Sequence, residues 1–144
     1  MIRRTCRSLL VGAVTLLVVA CGDRQELRPE IKLNTAEFTF RVTADRMPPT
    51  AREDDRFRVE VVDRETRQPV QGGEGRIFAT SQEGMNSWDG FALGEEPGVY
   101  YGTLRFLTAG QWAMAIQFRT DSTKPLQRAD WVQDVLPERP LGEP

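Results

Sequence analysis

The chain has 144 residues, a length that suits one small domain with a single core. It has 19 Lys+Arg against 21 Asp+Glu, and the two signs are interspersed, which argues against a nucleic-acid partner. It contains two cysteines and no histidine, so catalysis by Ser-His or Cys-His machinery is excluded and an enzyme is not expected.

The first 20 residues have the three parts of a secretory signal peptide. A basic start at Arg3, Arg4 and Arg7 is followed by an uncharged apolar run over residues 9–20. The run is shorter than the ~20 apolar residues that a spanning helix needs, which disfavours the alternative of a signal anchor. Residues 18–21 (VVAC) resemble the bacterial lipobox, in which a small residue precedes a lipid-modified cysteine. The resemblance predicts a signal helix at 1–20 and lipidation of Cys21.

Removal of residues 1–20 changes the cysteine count and the charge. Cys6 leaves with the signal, so Cys21 is the only cysteine of the mature chain and its thiol is consumed by the lipid. The mature chain has 16 Lys+Arg against 21 Asp+Glu, a net charge of −5. We therefore expect no disulfide and no thiolate nucleophile. The expected location is the cell envelope, lipid-anchored to the outer or the cytoplasmic membrane.

The mature chain divides into a tether, a domain and a tail. Residues 21–34 are polar, charged and broken by Pro29, which predicts a flexible tether behind the lipidated cysteine. From residue 35 to residue 136 apolar residues recur with a period of two, which is typical of half-buried strands. Strands are expected at residues 38–42, 57–61, 76–80, 88–93, 99–107, 111–120 and 129–135. The pattern predicts an all-β antiparallel sandwich of about seven strands, followed by a disordered tail at 137–144.

The clearest alternation lies in residues 99–120. Two strands flank the short turn at residues 108–110 (TAG), which predicts a β-hairpin. Four side chains of the second strand fall on one face and are expected in the core: Trp112, Met114, Ile116 and Phe118.

Several segments carry a family resemblance. Residues 63–73 contain a D-x-x-T-x-x-P-V connection and two glycines, and residues 97–101 (PGVYY), 104–106 (LRF) and 109–112 (AGQW) follow. Together they resemble the YtkA-like domain, much of whose signature FixH-related proteins share, over about residues 38–118. The resemblance implies an immunoglobulin-like sandwich outside the cytoplasmic membrane, in some members associated with copper handling or respiratory-oxidase assembly. Those members often carry Met and His before the Pro-Gly-x-Tyr strand, whereas this chain has Met85 there and no histidine.

The sequence contains weaker signals for three other kinds of site. Cu(I) could take thioether ligands from Met47 and Met85, although packing is the favoured role of both. A calcium site at Asp89 with residues 95–96 matches no recognised loop spacing. The acidic runs at residues 53–55 and 95–96 are expected to be solvated loop edges, because charged groups are rarely buried unpaired and adjacent strand residues point to opposite faces.

Two tryptophans are the candidate partner-binding residues. Trp88 and Trp131 lie in polar surroundings, where an exposed aromatic can anchor a protein partner; the alternative is that each covers an end of the sandwich. We expect a non-enzymatic, membrane-anchored envelope lipoprotein that binds or supports another envelope protein and needs no cofactor. The alternative is a copper-binding or chaperone module of metal or oxidase assembly with Met85 as a ligand. A carrier of a small ligand is a third class.

Overall fold

A computed structural model describes residues 29–142. The predicted signal helix, Cys21 and residues 21–28 of the predicted tether lie outside the described residues. Within residues 29–142 the chain forms strands and no helix. The strands are β1 (Ile31–Asn34), β2 (Phe38–Ala44), β3 (Asp54–Asp63), β4 (Glu74–Ser81), β5 (Asn86–Gly90), β6 (Ala92–Leu93), β7 (Val99–Arg105), β8 (Gly110–Arg119) and β9 (Gln127–Val135).

The strands form two antiparallel sheets. The first sheet has the order β1-β2-β3-β7-β6, and the second has the order β5-β4-β8-β9. When β1 is set aside, these orders match the A-B-E-D and C′-C-F-G sheets of an immunoglobulin sandwich. The predicted all-β antiparallel sandwich is confirmed, and its described part has nine strands where about seven were expected.

The two additional strands come from segments that the sequence pattern assigned differently. β1 lies inside the predicted tether at 21–34 and pairs with β2, with Ile31 opposite Val42. Its inward side chains, Ile31 and Leu33, pack against the core, so the tether prediction is corrected for residues 31–34. Residues 88–93 are divided between the sheets, because β5 pairs with β4 whereas β6 pairs with β7.

The predicted hairpin at residues 99–120 is wrong. β7 lies in the first sheet beside β3, and β8 lies in the second sheet between β4 and β9. Residues 106–109 carry the chain from one sheet to the other, and the rings of Phe106 and Trp112 meet edge-on at 5.3 Å. Alternation identifies the inward face of a strand but not its neighbour, so a hairpin and an inter-sheet crossing give the same pattern.

The core between the sheets is built largely from aromatic rings. Phe118 contacts Phe38 and Tyr100 edge-on, each with ring centroids 5.2 Å apart. Edge-on pairs of this kind add about 0.5–1.5 kcal/mol beyond area burial. As predicted, Trp112 and Met114 are buried with Ile116 and Phe118.

Tyr100 also ties the connection between β3 and β4 to the core. Its hydroxyl donates to the carbonyl oxygen of Val70 at 2.8 Å and accepts from the N–H of Gly73 at 3.0 Å. Burial raises the pKa of the Tyr100 phenol. The hydroxyl therefore remains a neutral donor and holds the connection in place.

Side chains of β5 cover an open part of the edge of β7. Asp89 accepts a hydrogen bond from the N–H of Thr103 at 2.8 Å, and Ser87 accepts one from the N–H of Arg105 at 3.1 Å. Both N–H groups lie beyond the short stretch of β7 that pairs with β6. An unpaired strand edge is a template for association, so these two side chains satisfy donors that would otherwise be exposed.

Asp89→Ala is expected to lower the free energy of unfolding by about 1 kcal/mol, because the N–H of Thr103 loses its partner. Urea denaturation of the variant and the parent measures this change. Asp134→Ala, an exposed carboxylate of β9, is the control and is expected to change stability by less than about 0.5 kcal/mol. Equal effects of the two substitutions would contradict the role given to Asp89.

Candidate protein-binding face

The outward surface of the second sheet carries an aromatic row. Antiparallel register places Trp88 of β5, Phe78 of β4 and Ala115 of β8 side by side, with Asp130 of β9 at the end of the row. Because side chains alternate along a strand, this row points away from the core. The Trp88 side chain is 68% exposed. We call the outward surface of β5, β4, β8 and β9, centred on Trp88 and Phe78, the Trp88 face.

Two further rows flank the aromatic one. Thr80, Ala113 and Val132 form the row towards one end of the sandwich, and Val132 is exposed. Arg76 and Gln117 lie in the row towards the other end. The Trp88 face thus has an aromatic centre, a small apolar side and an arginine-bearing side.

Two arginines are held over the Phe78 ring. The guanidinium carbons of Arg76 and Arg128 lie 5.4 Å and 4.9 Å from the ring centre. Arg76 donates from Nε to Gln117 at 2.8 Å, and Arg128 pairs with Asp130 at 2.7 Å. The hydrogen bond to Asp130 raises the pKa of Arg128. Cation–π contacts and these hydrogen bonds order both planar cations beside the exposed indole.

The outward surface of the first sheet differs in character. Arg58 pairs with Glu96 at 2.8 Å and with Glu60 at 3.6 Å. Arg56 covers the ring of Tyr101 at 3.9 Å. Charges that are paired with one another in water contribute little and are depleted from the centres of protein interfaces. Ion pairs also occur on the Trp88 face, at Arg128–Asp130 and Arg119–Glu74. Its exposed indole, which the strands of the first sheet lack, makes it the better candidate for a protein contact.

The two predicted partner-binding tryptophans lie on opposite sides of the second sheet. Trp88 is exposed on the Trp88 face, whereas Trp131 lies on the inward row of β9 and packs against the core. The Trp131 Nε1 is buried and has no hydrogen-bond partner among the described residues. The polar neighbours that suggested exposure, Asp130 and Gln133, do not share one face: Asp130 points outward and Gln133 is buried. Trp131 is therefore a packing residue, and we remove it from the candidate site.

The residues considered as metal ligands have other contacts. Met85 and Met47 are half-buried and pack against the core, and Met114 is inside it. Asp89 binds the N–H of Thr103, and Glu96 binds Arg58. Between residues 29 and 142, no three or more His, Cys, Asp or Glu side chains are grouped so as to hold a metal ion. Copper binding through Met85 stays a prediction.

Asp55 is a buried acid that the sequence pattern placed in solvent. Its side chain is fully buried, because β3 begins one residue earlier and Asp55 occupies an inward position. Arg46 donates from Nε to Asp55 at 2.8 Å, and the N–H of Thr50 donates at 3.4 Å. Burial raises the pKa of Asp55, although Arg46 favours its ionised form. Arg46 also contacts Glu53, which pairs with Arg139 at 3.1 Å.

This cluster, Arg46 with Asp55, Glu53 and Arg139, has a structural role. It fastens the loop between β2 and β3 to the start of β3 and to the segment after β9. Backbone bonds reinforce the same junction, since the N–H of Ala51 donates to the carbonyl of Leu136 at 2.9 Å. The signal that sequence reasoning missed is a basic residue nine positions before Asp55, at the other end of a short loop.

The class of this protein is defined by its fold alone. The chain matches no protein-family model, no curated protein and no solved structure. Its strand order defines a two-sheet antiparallel β-sandwich of immunoglobulin-like topology. The described part of the chain has no helix that is long and apolar enough to span a bilayer.

Proposed function

We propose that this chain is a non-enzymatic, lipid-anchored protein of the bacterial cell envelope whose Trp88 face binds another envelope protein. One observation supports the binding role above all: an indole that is 68% exposed lies beside Phe78 and two ordered guanidinium groups. Tryptophan and arginine dominate the energetics of protein interfaces, because they combine large apolar area with directional hydrogen bonding. An exposed indole in this setting leaves apolar area that a partner can cover.

The proposed anchor restricts where such a partner can be. Ile31, the first residue of β1, follows Cys21 by ten positions. An extended chain of that length spans at most roughly 35 Å. The sandwich would therefore stay close to the membrane surface, where the available partners are other proteins of the same membrane or of the adjacent envelope space.

Lipidation is tested at Cys21 with a matched cysteine as the control. Cys21→Ala is expected to abolish incorporation of labelled palmitate, because the thiol that forms the thioether is lost. Cys6→Ala is expected to leave incorporation unchanged, because Cys6 leaves with the signal. Labelling of growing cells followed by gel separation gives the result. Label that persists in the Cys21 variant, or disappears in the Cys6 variant, would contradict the anchor.

Binding is tested by mild crosslinking of intact membranes, followed by solubilisation and affinity purification of the full-length chain. We expect recovery of a discrete species that contains a second envelope protein. Recovery of the chain alone, at crosslinker levels that capture a known envelope complex, would contradict the binding role.

A further inference from the structure

The Trp88 face contains a shallow groove, widely open to solvent, with apolar and polar sides. Its volume is about 490 Å³, and Trp88 and Leu126 supply its apolar walls. Leu126 is 46% exposed, so both walls present apolar surface to the groove and to solvent. The rest of the lining comes from Glu74, Gly75, Arg76, Gly90 and Arg119.

The charges of the groove do not cancel. Arg119 contacts Glu74 at 2.5 Å and is neutralised by it. Arg76 donates a hydrogen bond from Nε to the neutral amide of Gln117. It forms no ion pair with a carboxylate in residues 29–142. One positive charge therefore remains in the groove. The terminal nitrogens of a guanidinium are donors in the geometry that matches a carboxylate.

Gly90 keeps one side of the groove open. A Cβ built at Gly90 would meet no heavy atom within 4 Å, and the backbone there is not in the left-handed region. Neither packing nor conformation therefore requires glycine, although glycine weakens a strand. Gly90 is the last residue of β5, and a glycine there leaves room for a ligand or another backbone to approach closely. Gly75 differs, since its Cβ would lie 2.2 Å from the carbonyl oxygen of Gln117.

We infer that this groove receives an extended peptide segment of the partner that carries a carboxylate next to an apolar side chain. Arg76 binds the carboxylate through its terminal nitrogens, and the apolar side chain packs between Trp88 and Leu126. Gly90 is the last residue of β5, and its missing side chain leaves room for the backbone of the segment to lie against the Trp88 face. The uncompensated cation favours this anionic ligand over a neutral glycan. The inference rests on the proposed function and adds the chemistry of the bound segment.

The test uses the full-length chain in detergent and an array of immobilised ten-residue peptides. The peptides alternate leucine with glutamate, and each has a counterpart in which glutamine replaces every glutamate. We expect the parent to be retained at least about tenfold more strongly on the acidic peptides, the difference that roughly one ordered carboxylate contact gives. Arg76→Gln is expected to reduce that preference to about one. Gly90→Val, which fills the groove, is expected to abolish retention on both sets, and Arg41→Gln on the other sheet is the control.

Three results would overturn the inference: no preference for the acidic peptides, a preference that survives Arg76→Gln, or equal loss in the Arg41 control. Retention on an array of neutral glycans in place of the peptides would also overturn it. Circular dichroism of each variant establishes that the sandwich is intact. If the chain crosslinks to a partner through the Trp88 face but shows no acid preference, only this inference fails. If it shows the preference but has no partner in cells, the proposed function fails.

Discussion

Arg46→Ala is expected to lower the free energy of unfolding by about 3 kcal/mol at neutral pH. The substitution leaves Asp55 fully buried with its carboxylate unpaired except for the N–H of Thr50. Removing one partner of a buried ion pair costs about 3–5 kcal/mol, and the lower end applies because the Arg46 side chain is itself 34% exposed. Urea denaturation of the two proteins gives the difference.

The loss of unfolding free energy in Arg46→Ala is expected to become smaller as pH falls, whereas ordinary acid denaturation makes a protein less stable as pH falls. Burial already raises the pKa of Asp55 in the folded protein above the 3.8 of a free aspartate. A group whose pKa is raised by folding holds its proton more tightly in the folded state, so its contribution to stability increases as pH falls through the folded pKa. Without Arg46 the pKa rises further, so the deficit should shrink when urea denaturation is repeated near pH 4.

The double variant Arg46→Ala, Asp55→Asn is the control for this pH dependence. It carries no titrating group at position 55, so its difference from the parent should lack the recovery at low pH. A deficit in Arg46→Ala that stays constant from about pH 7 to about pH 4 would contradict the assignment of the effect to the Asp55 carboxylate.

Trp88→Ala is expected to raise the dissociation constant for the partner by about 30-fold or more, which corresponds to the 2 kcal/mol of an interface hot spot. The indole is exposed in the free protein, so the free energy of unfolding should change by less than about 0.5 kcal/mol. Titration of the partner recovered by crosslinking measures the affinity. Leu93→Ala, an exposed apolar residue of the first sheet, is expected to leave affinity unchanged.

Trp131→Ala provides the opposite pattern. Trp131 packs against the core, so its loss should lower the free energy of unfolding by about 2 kcal/mol while the folded fraction keeps its affinity. If the loss of binding free energy in Trp88→Ala were no larger than its loss of unfolding free energy, the Trp88 face would not be the surface that contacts the partner.

The fold class could be predicted from the sequence because the two-residue period is a local property of each strand. Phe38 and Phe40, like Met114 and Ile116, reveal their inward face without reference to any other segment. Strand partners are not local. β7 and β8 carry the alternation of a hairpin, yet the chain crosses between sheets after Arg105. β1 is only four residues long and follows a charged, Pro-containing segment, so its alternation of Ile31 and Leu33 with polar residues is too brief to indicate a strand; pairing with β2 holds it.

For a related reason, the sequence could not predict which of the two candidate tryptophans is exposed. Both Trp88 and Trp131 have polar sequence neighbours, but the exposure of each depends on which face of the sheet its side chain points to. The burial of Asp55 could not be predicted either, because it depends on a hydrogen bond from Arg46, which lies at the other end of a loop. The groove beside Trp88 joins β4, β5 and the segment that holds Leu126, which only the folded chain brings together.

The most direct test of the central claim is site-specific photo-crosslinking of the full-length protein in intact cells. A photoreactive residue replaces Trp88 in one variant and Arg41, which is exposed on the other sheet, in the second. Binding through the Trp88 face predicts one discrete adduct with another envelope protein from position 88 and none from position 41. Adducts of equal yield from both positions, or an adduct from position 41 alone, would contradict it.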